Sequence, residues 1–463
     1  MASSDRRGNS QAGGPRHTED AGQALQSAHF ALEQVAHWNP GLRALTTVLG
    51  DRALRVAAEI DAAHARGVWR GLLQGVTVTL KDNIDVAGVP TTAASPILRD
   101  NRPRADASVV QRLERHGAII IGKANMHEWA FGPTSQSPHF GAVVNPWNVN
   151  HIAGGSSGGS GAAVATAMCV VSIGSDTAGS IRMPAAFCGV AGLRPTVGRV
   201  SNRGSLPVSP PFDTLGPMAR RVADVARVFA VIAGHDPLDP MSVDTPVGDV
   251  LVGLNEPARG LRLGLPKRYF EDLHPDVAAG MQHSIETYRR LGVKVCEIDL
   301  GDSELAQQML TFSVVVADAL ERHESRLSSH PEDFGVDVAM RLRLGESVTG
   351  VRYAKSLRWM ESLRHRLRLA FSKVDAILYP TTPFPAPDLA GLHFADAIRD
   401  IPRFSCLAPA AGIPALAVPM GHTCNGLPLS HELAGRWFDE AVLLRLGHAF
   451  QSATDHHLRQ PMR

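Results

Sequence analysis

Residues 151–165 read HIAGGSSGGSGAAVA, with eight consecutive glycines and serines (154–161) running straight into a small-residue apolar segment. Gly/Ser runs are tethers when they separate two self-contained units. This run instead interrupts an alternating strand and helix pattern, and the alanines of AAVATAMCVV behind it describe a helix that can pack very close to its neighbours. A phosphate cradle would need the Gly-x-x-x-x-Gly-Lys-Ser/Thr spacing, which is absent here. Gly154–Gly158 does satisfy Gly-x-Ser-x-Gly, the turn that follows a buried strand in α/β-hydrolases. The preceding residues, NPWNVNHIA (145–153), hold a proline and four Asn or His residues and do not read as such a strand.

Outward from this stretch the chain alternates. Apolar residues at helical spacing between Ala24 and Gly67 predict one or two amphipathic helices. GVTVTL (75–80) is a β-branched strand that ends at Lys81 and the turn-prone pair Asp82-Asn83. A helix from about Ser108 to His116 and the buried strand GAIIIGKAN (117–125) follow, giving strand, helix, strand. The alternation continues through VADVARVFAVIAG (222–234), RGLRLGLPKRY (259–269), AAGMQHSIETYRRLG (278–292) and VKVCEIDL (293–300). Residues 302–370 read as a charged, mostly helical stretch, and VDAILYPTTPFPAP (374–387) and AAGIPALAVPMG (410–421) as two further buried strands that stop at prolines. Composition does not shift along the way. The expectation is a tail over residues 1–21 and one domain over 22–463, an α/β fold with a large mixed, mostly parallel twisted sheet flanked by helices on both faces.

Bulk properties narrow the function. Of 463 residues 44% are hydrophobic and 20% charged, enough to bury a sizeable core. Lys and Arg number 46 against 45 Asp and Glu, so no basic field draws the chain to phosphate backbones or anionic lipid, and neither nucleic acid nor a membrane is expected as a partner. Five cysteines without a Cys-x-x-Cys pair suggest neither a disulfide framework nor a thiolate zinc site. The polar first twenty residues lack the apolar segment of a secretory signal, and a cytoplasmic setting fits.

Two more stretches carry chemistry. Twenty-four residues beyond Ser156, Ser180 follows Asp176, Thr177, Ala178 and Gly179 in GSDTAGSIRMPA, a tight polar turn suited to exposing several backbone N–H groups. Seventy-five residues before Ser156 stands Lys81. Together, TLKDNIDVAG, AGGSSGGSGAAVA and GSDTAGSIRMPAAFCGVAGLRPT closely resemble the amidase signature family, from about residue 25 to 455. The resemblance implies that Ser180 is the nucleophile, that Ser156, after a cis Gly155-Ser156 bond, relays the proton, and that Lys81 is the base. It further implies an oxyanion hole from the N–H groups of Thr177, Ala178, Gly179 and Ser180, with Gly155, Ser157, Asp176 and Arg182 in support. Ala178 departs from the family's commoner glycine and needs φ < 0.

The resemblance also places Trp129 and Ala130 of NMHEWAFG in contact with the acyl group of the substrate. It calls for no metal and no cofactor. It implies a hydrolase cleaving the C–N bond of a small amide, anilide or carbamate, working as a monomer or homodimer. Three alternatives stand beside that reading: the A subunit of a glutaminyl-tRNA amidotransferase, an esterase using Ser156, and a non-catalytic anion-binding module. In LPLSHELAGR (427–436), Ser430 and His431 also depart from the family pattern and leave the local packing open.

Overall fold

The computed structural model describes residues 23–462; the tail expected over residues 1–21 lies outside them. Their centre is an 11-stranded sheet of order β1-β3-β2-β4-β6-β5-β10-β11-β9-β7-β8. In chain order the strands are β1 (Leu45–Val48), β2 (Thr77–Lys81), β3 (Ile119–Ala124), β4 (Val171–Asp176), β5 (Ala191–Arg194) and β6 (Thr214–Ala219). They continue with β7 (Arg262–Pro266), β8 (Lys294–Ile298), β9 (Ala376–Pro380), β10 (Ala415–His422) and β11 (Pro428–Gly435). The sheet is mixed, as expected, but its parallel pairings are confined to β3-β2-β4 and β9-β7-β8. The remaining neighbours run antiparallel. The sequence pattern could not reveal this, because a strand buried on both faces reads the same in either direction.

Helices cover both faces. α1 (Ala24–Leu42), α2 (Gly50–Ala65), α4 (Gly158–Ala165) and α5 (Arg182–Cys188) pack into one core; α3 (Ser108–Arg115), α6 (Val222–Ile232) and α7 (Pro275–Arg290) pack into another. Period-two alternation divides the strand residues between them: along β3, Ile119 and Ile121 join the first core while Ile120 joins the second. Where one or two helices are expected between Ala24 and Gly67 there are two, α1 and α2, with β1 inserted between them. No helix among the described residues is long and apolar enough to cross a membrane.

The Gly/Ser run leads into α4, and all eight residues of that helix are buried. A Cβ at Gly159 would lie 2.3 Å from the carbonyl oxygens of both Ala44 and Asn125, so the helix approaches the sheet edge to a distance only glycine allows. No strand leads directly into Ser156, only isolated bridges at His151 and Ile152, and the strand-turn-helix context of a hydrolase elbow is therefore missing. At the other end of the chain, β11 has no counterpart in the sequence pattern. Its polar centre, Ser430-His431-Glu432, breaks the apolar pattern, yet the whole strand is buried and each of these polar side chains finds a partner. Ser430 Oγ donates to Val418 O (3.0 Å), and His431 sits 3.1 Å from both Ser284 Oγ and Tyr288 Oη. Burial pushes the His431 pKa down to about 3, so the ring is neutral.

Candidate active site

β2 and β4 are parallel neighbours, with Leu80 opposite Ile173. Their carboxyl ends therefore open at the same edge, where ligands bind in open α/β sheets, and they deliver Lys81 from one strand and Ser175 and Asp176 from the other. Lys81 is completely buried. Its Nζ lies 2.6 Å from Ser156 Oγ and 2.8 Å from Ser175 Oγ, and Asn83 Nδ2 donates to the same Ser175 hydroxyl at 3.2 Å. Burial pulls the Lys81 pKa from 10.5 down to about 7, against the opposing pull of Asp176 and Asp213. A lysine that cannot be solvated favours its neutral, proton-accepting form.

Ser156 follows a cis Gly155-Ser156 peptide. Its carbonyl accepts from His127 N (3.0 Å) and Ser135 Oγ (3.3 Å), which fixes the loop from the far side. Ser157 N donates to Ser180 O (3.2 Å) and Ser157 Oγ to Ser175 O (3.2 Å), tying the Gly/Ser loop to the turn after β4.

That turn is organised by Asp176. Its carboxylate accepts from Gly179 N (2.8 Å), Ile181 N (3.1 Å), Arg182 Nε (3.0 Å) and Arg194 Nη1 (3.0 Å), all buried. Burial alone would raise its pKa, but the two guanidinium groups and the N–H donors hold it well below the usual carboxylate range. Arg182 reaches on to Glu432 Oε1 (2.5 Å), which also accepts from Tyr379 Oη (2.7 Å). Asp176 and Arg182 are thus a buried network and not a surface ion pair. Arg194, Glu432 and Tyr379 belong to it, and the sequence reading passes over all three. The signal is present for Arg194, an ionisable residue closing an otherwise apolar strand (AGLR), and is weaker for Glu432, whose strand (PLSHELAG) has a polar centre.

The N–H of Gly179 is given to Asp176, whereas those of Thr177, Ala178 and Ser180 donate to no described residue. Of the four expected oxyanion donors, these three are therefore free at the turn. Ala178 is absent from the residues with positive φ, as its Cβ requires. Gly179 has φ +119°, and a Cβ there would sit 2.3 Å from Ser405 Oγ.

Thr177, Ala178 and Ser180 form one wall of a cleft. Ala130, Phe131, Val208, Val315 and Pro402 contribute apolar surface, and Arg341 the one charged side chain. Arg341 is 7% exposed, its guanidinium lies 4.3 Å from the centroid of the Phe131 ring, and its Nε has no hydrogen-bond partner among the described residues, although the charge of Asp337 acts on it. Burial brings its pKa down to about 10, so it stays charged at neutral pH. Ala130 lines this cleft; Trp129 turns away and packs on His323 with ring centroids 4.5 Å apart.

The Amidase family model matches residues 27–444. The chain belongs to the amidase family. The A subunit of glutamyl-tRNA(Gln) amidotransferase from Carboxydothermus hydrogenoformans is 36% identical over 470 residues, covering 95% of each protein. The crystal structure of the A subunit of the same enzyme from Thermotoga maritima matches with a TM-score of 0.79 and 28% identity, covering 94% of this chain and 92% of that one. A structure described as a vestigial protein complex revealing the evolutionary origins of an s-triazine catabolic enzyme matches with a TM-score of 0.88 and 32% identity, covering 94% of this chain and 97% of that one.

As an amidase-family member the chain is an enzyme-type fold for carbon–nitrogen bond chemistry. The relatives correct two expectations. A free-standing hydrolase of small amides, anilides or carbamates gives way to the amidotransferase component, to which the chain is similar along nearly its whole length. The expected independence from nucleic acid and from other proteins, as a monomer or homodimer, falls with it. A balanced net charge excludes a basic field over one chain, but in an assembly the tRNA can be held by other subunits.

Proposed function

We propose that this chain is the amide-cleaving A subunit of a glutamyl-tRNA(Gln) amidotransferase, releasing ammonia for use elsewhere in a cytoplasmic complex. The observation that carries the reading is the similarity to that protein over 95% of both chains, joined to a dry Lys81-Ser156 pair beside the Ser180 turn. In this mechanism neutral Lys81 takes a proton from Ser156 Oγ as Ser156 takes one from Ser180 Oγ, and Ser180 Oγ attacks the amide carbonyl. The N–H groups of Ala178 and Ser180 meet the developing oxyanion, each such donor being worth about 3 kcal/mol of barrier. Collapse breaks the C–N bond, and the proton returns through Ser156 to the departing nitrogen, giving ammonia and an acyl-Ser180. Water then enters along the same relay and releases the carboxylate.

The test is to purify the full chain with the subunits it associates with and to supply tRNA(Gln) misacylated with glutamate, an amide donor and ATP. Conversion of the attached glutamate to glutamine, lost in Ser180→Ala, is the expected result. A preparation that never amidates the tRNA under any donor rejects the reading.

A further inference from the structure

Charge on this chain balances overall but not locally. The helix Gly350–Phe371 carries six arginines and lysines and a single glutamate, in a protein whose formal net charge is +1. Its buried Met360, Leu363, Leu367, Ala370 and Phe371 join the core that also holds Leu310, Val314 and Val315. Lys355, Arg358, Ser362 and His365, at spacings of three and four, form one line of exposed side chains on the outer face. Arg352 and Arg368 are exposed on its flanks, and Lys373 follows just past the helix end.

Few of these cations are neutralised within the chain. Arg364 pairs with Glu361, and Arg366 with Asp302 at 2.6 Å. Arg352 donates to Phe312 O (2.8 Å) and Ser313 Oγ (3.0 Å), and Arg368 lies 5.6 Å from the centroid of the Trp437 ring, so neither meets a carboxylate. Lys355 and Arg358 have no hydrogen-bond or ion-pair partner among the described residues. A row of one sign attracts polyanions, of which an acidic protein face and a nucleic-acid backbone are the two kinds. A protein interface is built around apolar anchors and is depleted of lysine at its centre. Here the centre is Lys355, Arg358 and Ser362, while the exposed apolar residues Val351, Leu357 and Leu369 are spread along the helix rather than joined in a patch. Phosphates ask for the opposite arrangement, separate cations in a row without an apolar floor.

We propose that the outer face of this helix holds the phosphate backbone of an RNA, with Lys355 and Arg358 as the central contacts and Arg352, Arg368 and Lys373 beside them. That the RNA is a tRNA rests on the amidotransferase reading above; the helix gives this chain its own share of the contact. The helix is about 33 Å long, and its inner face packs on the segment that supplies Thr311 and Val315 to the cleft. RNA bound outside therefore sits one layer away from the cleft beside Ser180. Phosphate contacts position an RNA without reading its sequence, so this surface treats all tRNAs alike.

The test is to titrate the full chain, purified with its associated subunits, with an unmodified tRNA(Gln) transcript over a range of salt. The double variant Lys355→Gln/Arg358→Gln should bind about 30-fold more weakly at about 0.1 M salt, and its slope of log affinity against log salt should be shallower by about 1.5. An unrelated duplex RNA should lose the same factor. Arg289→Gln/Lys294→Gln, which removes two exposed cations elsewhere, should stay within about twofold of wild type, because distant charges are screened. Cross-links from a 4-thiouridine transcript to the wild-type protein should map within 350–373, a result that does not depend on a variant folding. The proposal is overturned by absence of binding, by unchanged affinity in Lys355→Gln/Arg358→Gln, by an equal loss in Arg289→Gln/Lys294→Gln, or by cross-links confined to other segments. Loss of a copurifying subunit from Lys355→Gln/Arg358→Gln overturns it too, since that marks an acidic protein face as the occupant. Amidation is scored separately. Its failure in a wild-type preparation that binds RNA through this helix removes the amidotransferase reading alone, whereas normal amidation with an unchanged KM for tRNA in Lys355→Gln/Arg358→Gln removes this proposal alone.

Discussion

If Lys81 is the base, the pH at which Ser180 becomes reactive is set by the burial of one ammonium group. With its pKa at about 7, half of the Lys81 side chains are neutral at pH 7. An ordinary lysine near 10.5 would be neutral in only about one molecule in 3,000. The rate at which a fluorophosphonate acylates Ser180 reports this step without tRNA, partner subunits or product release. It should climb tenfold per pH unit up to about pH 7, reach a plateau above about pH 8, and stand at about 1% of that plateau at pH 5. Asp213 pulls the Lys81 pKa upward, so Asp213→Asn should move the midpoint to lower pH.

The same shift has a thermodynamic face. Because the folded-state value lies below the unfolded one, the unfolded chain binds the extra proton between pH 10.5 and 7, and stability falls as pH drops through that window. Lys81→Met removes that penalty, on the order of 5 kcal/mol when fully developed. The variant's gain in stability should be greatest at or below pH 7 and vanish above about pH 10.5. A labelling rate still rising above pH 9, or a Lys81→Met protein that labels with the wild-type profile, would refute the reasoning.

Gly179→Ala places a Cβ 2.3 Å from Ser405 Oγ at a φ of +119° and forces the turn to move. Labelling of Ser180 should slow by about 100-fold as the Ala178 and Ser180 N–H groups lose alignment; an unchanged rate would remove this turn from the chemistry. His431 is held neutral with a pKa of about 3, below its unfolded value of 6.5, so what it contributes is complete above pH 6.5 and erodes as pH falls towards 3. The stability gap between wild type and His431→Gln, measured by urea denaturation, should narrow by about 2–3 kcal/mol from pH 7 to pH 4.5; a constant gap would mean the ring does not titrate on unfolding.

The parts of the site that could be read from the sequence are those whose residue types are unusual for their place. A lysine closing a β-branched strand, a serine inside a glycine run and a serine after a tight polar turn each stand out locally, and the fold brings Lys81 and Ser156 to 2.6 Å across 75 positions. What could not be read comes from elements that are ordinary in isolation. Glu432 meets Arg182 across 250 positions from a strand that the apolar pattern does not mark, because the satisfaction of its polar side chains exists only once β9 and β10 flank it. Arg341 is hidden differently: it lies on a short helix among other charged residues, and only packing against Phe131 distinguishes it from its solvated neighbours. Strand direction is concealed for the same kind of reason, since burial on two faces leaves no mark of orientation.

The crowding around α4, which lies behind the Ser156 loop and outside the cleft lining, sets that loop apart from the cleft walls. Where a Cβ at Gly159 would come within 2.3 Å of two carbonyl oxygens, the helix cannot gain even a methyl group without shifting the loop that carries Ser156. Changes of substrate in proteins built this way must therefore come from the cleft walls, at residues such as Val315 or Ile398. One sheet edge is thereby frozen for chemistry while distant segments remain free to diversify.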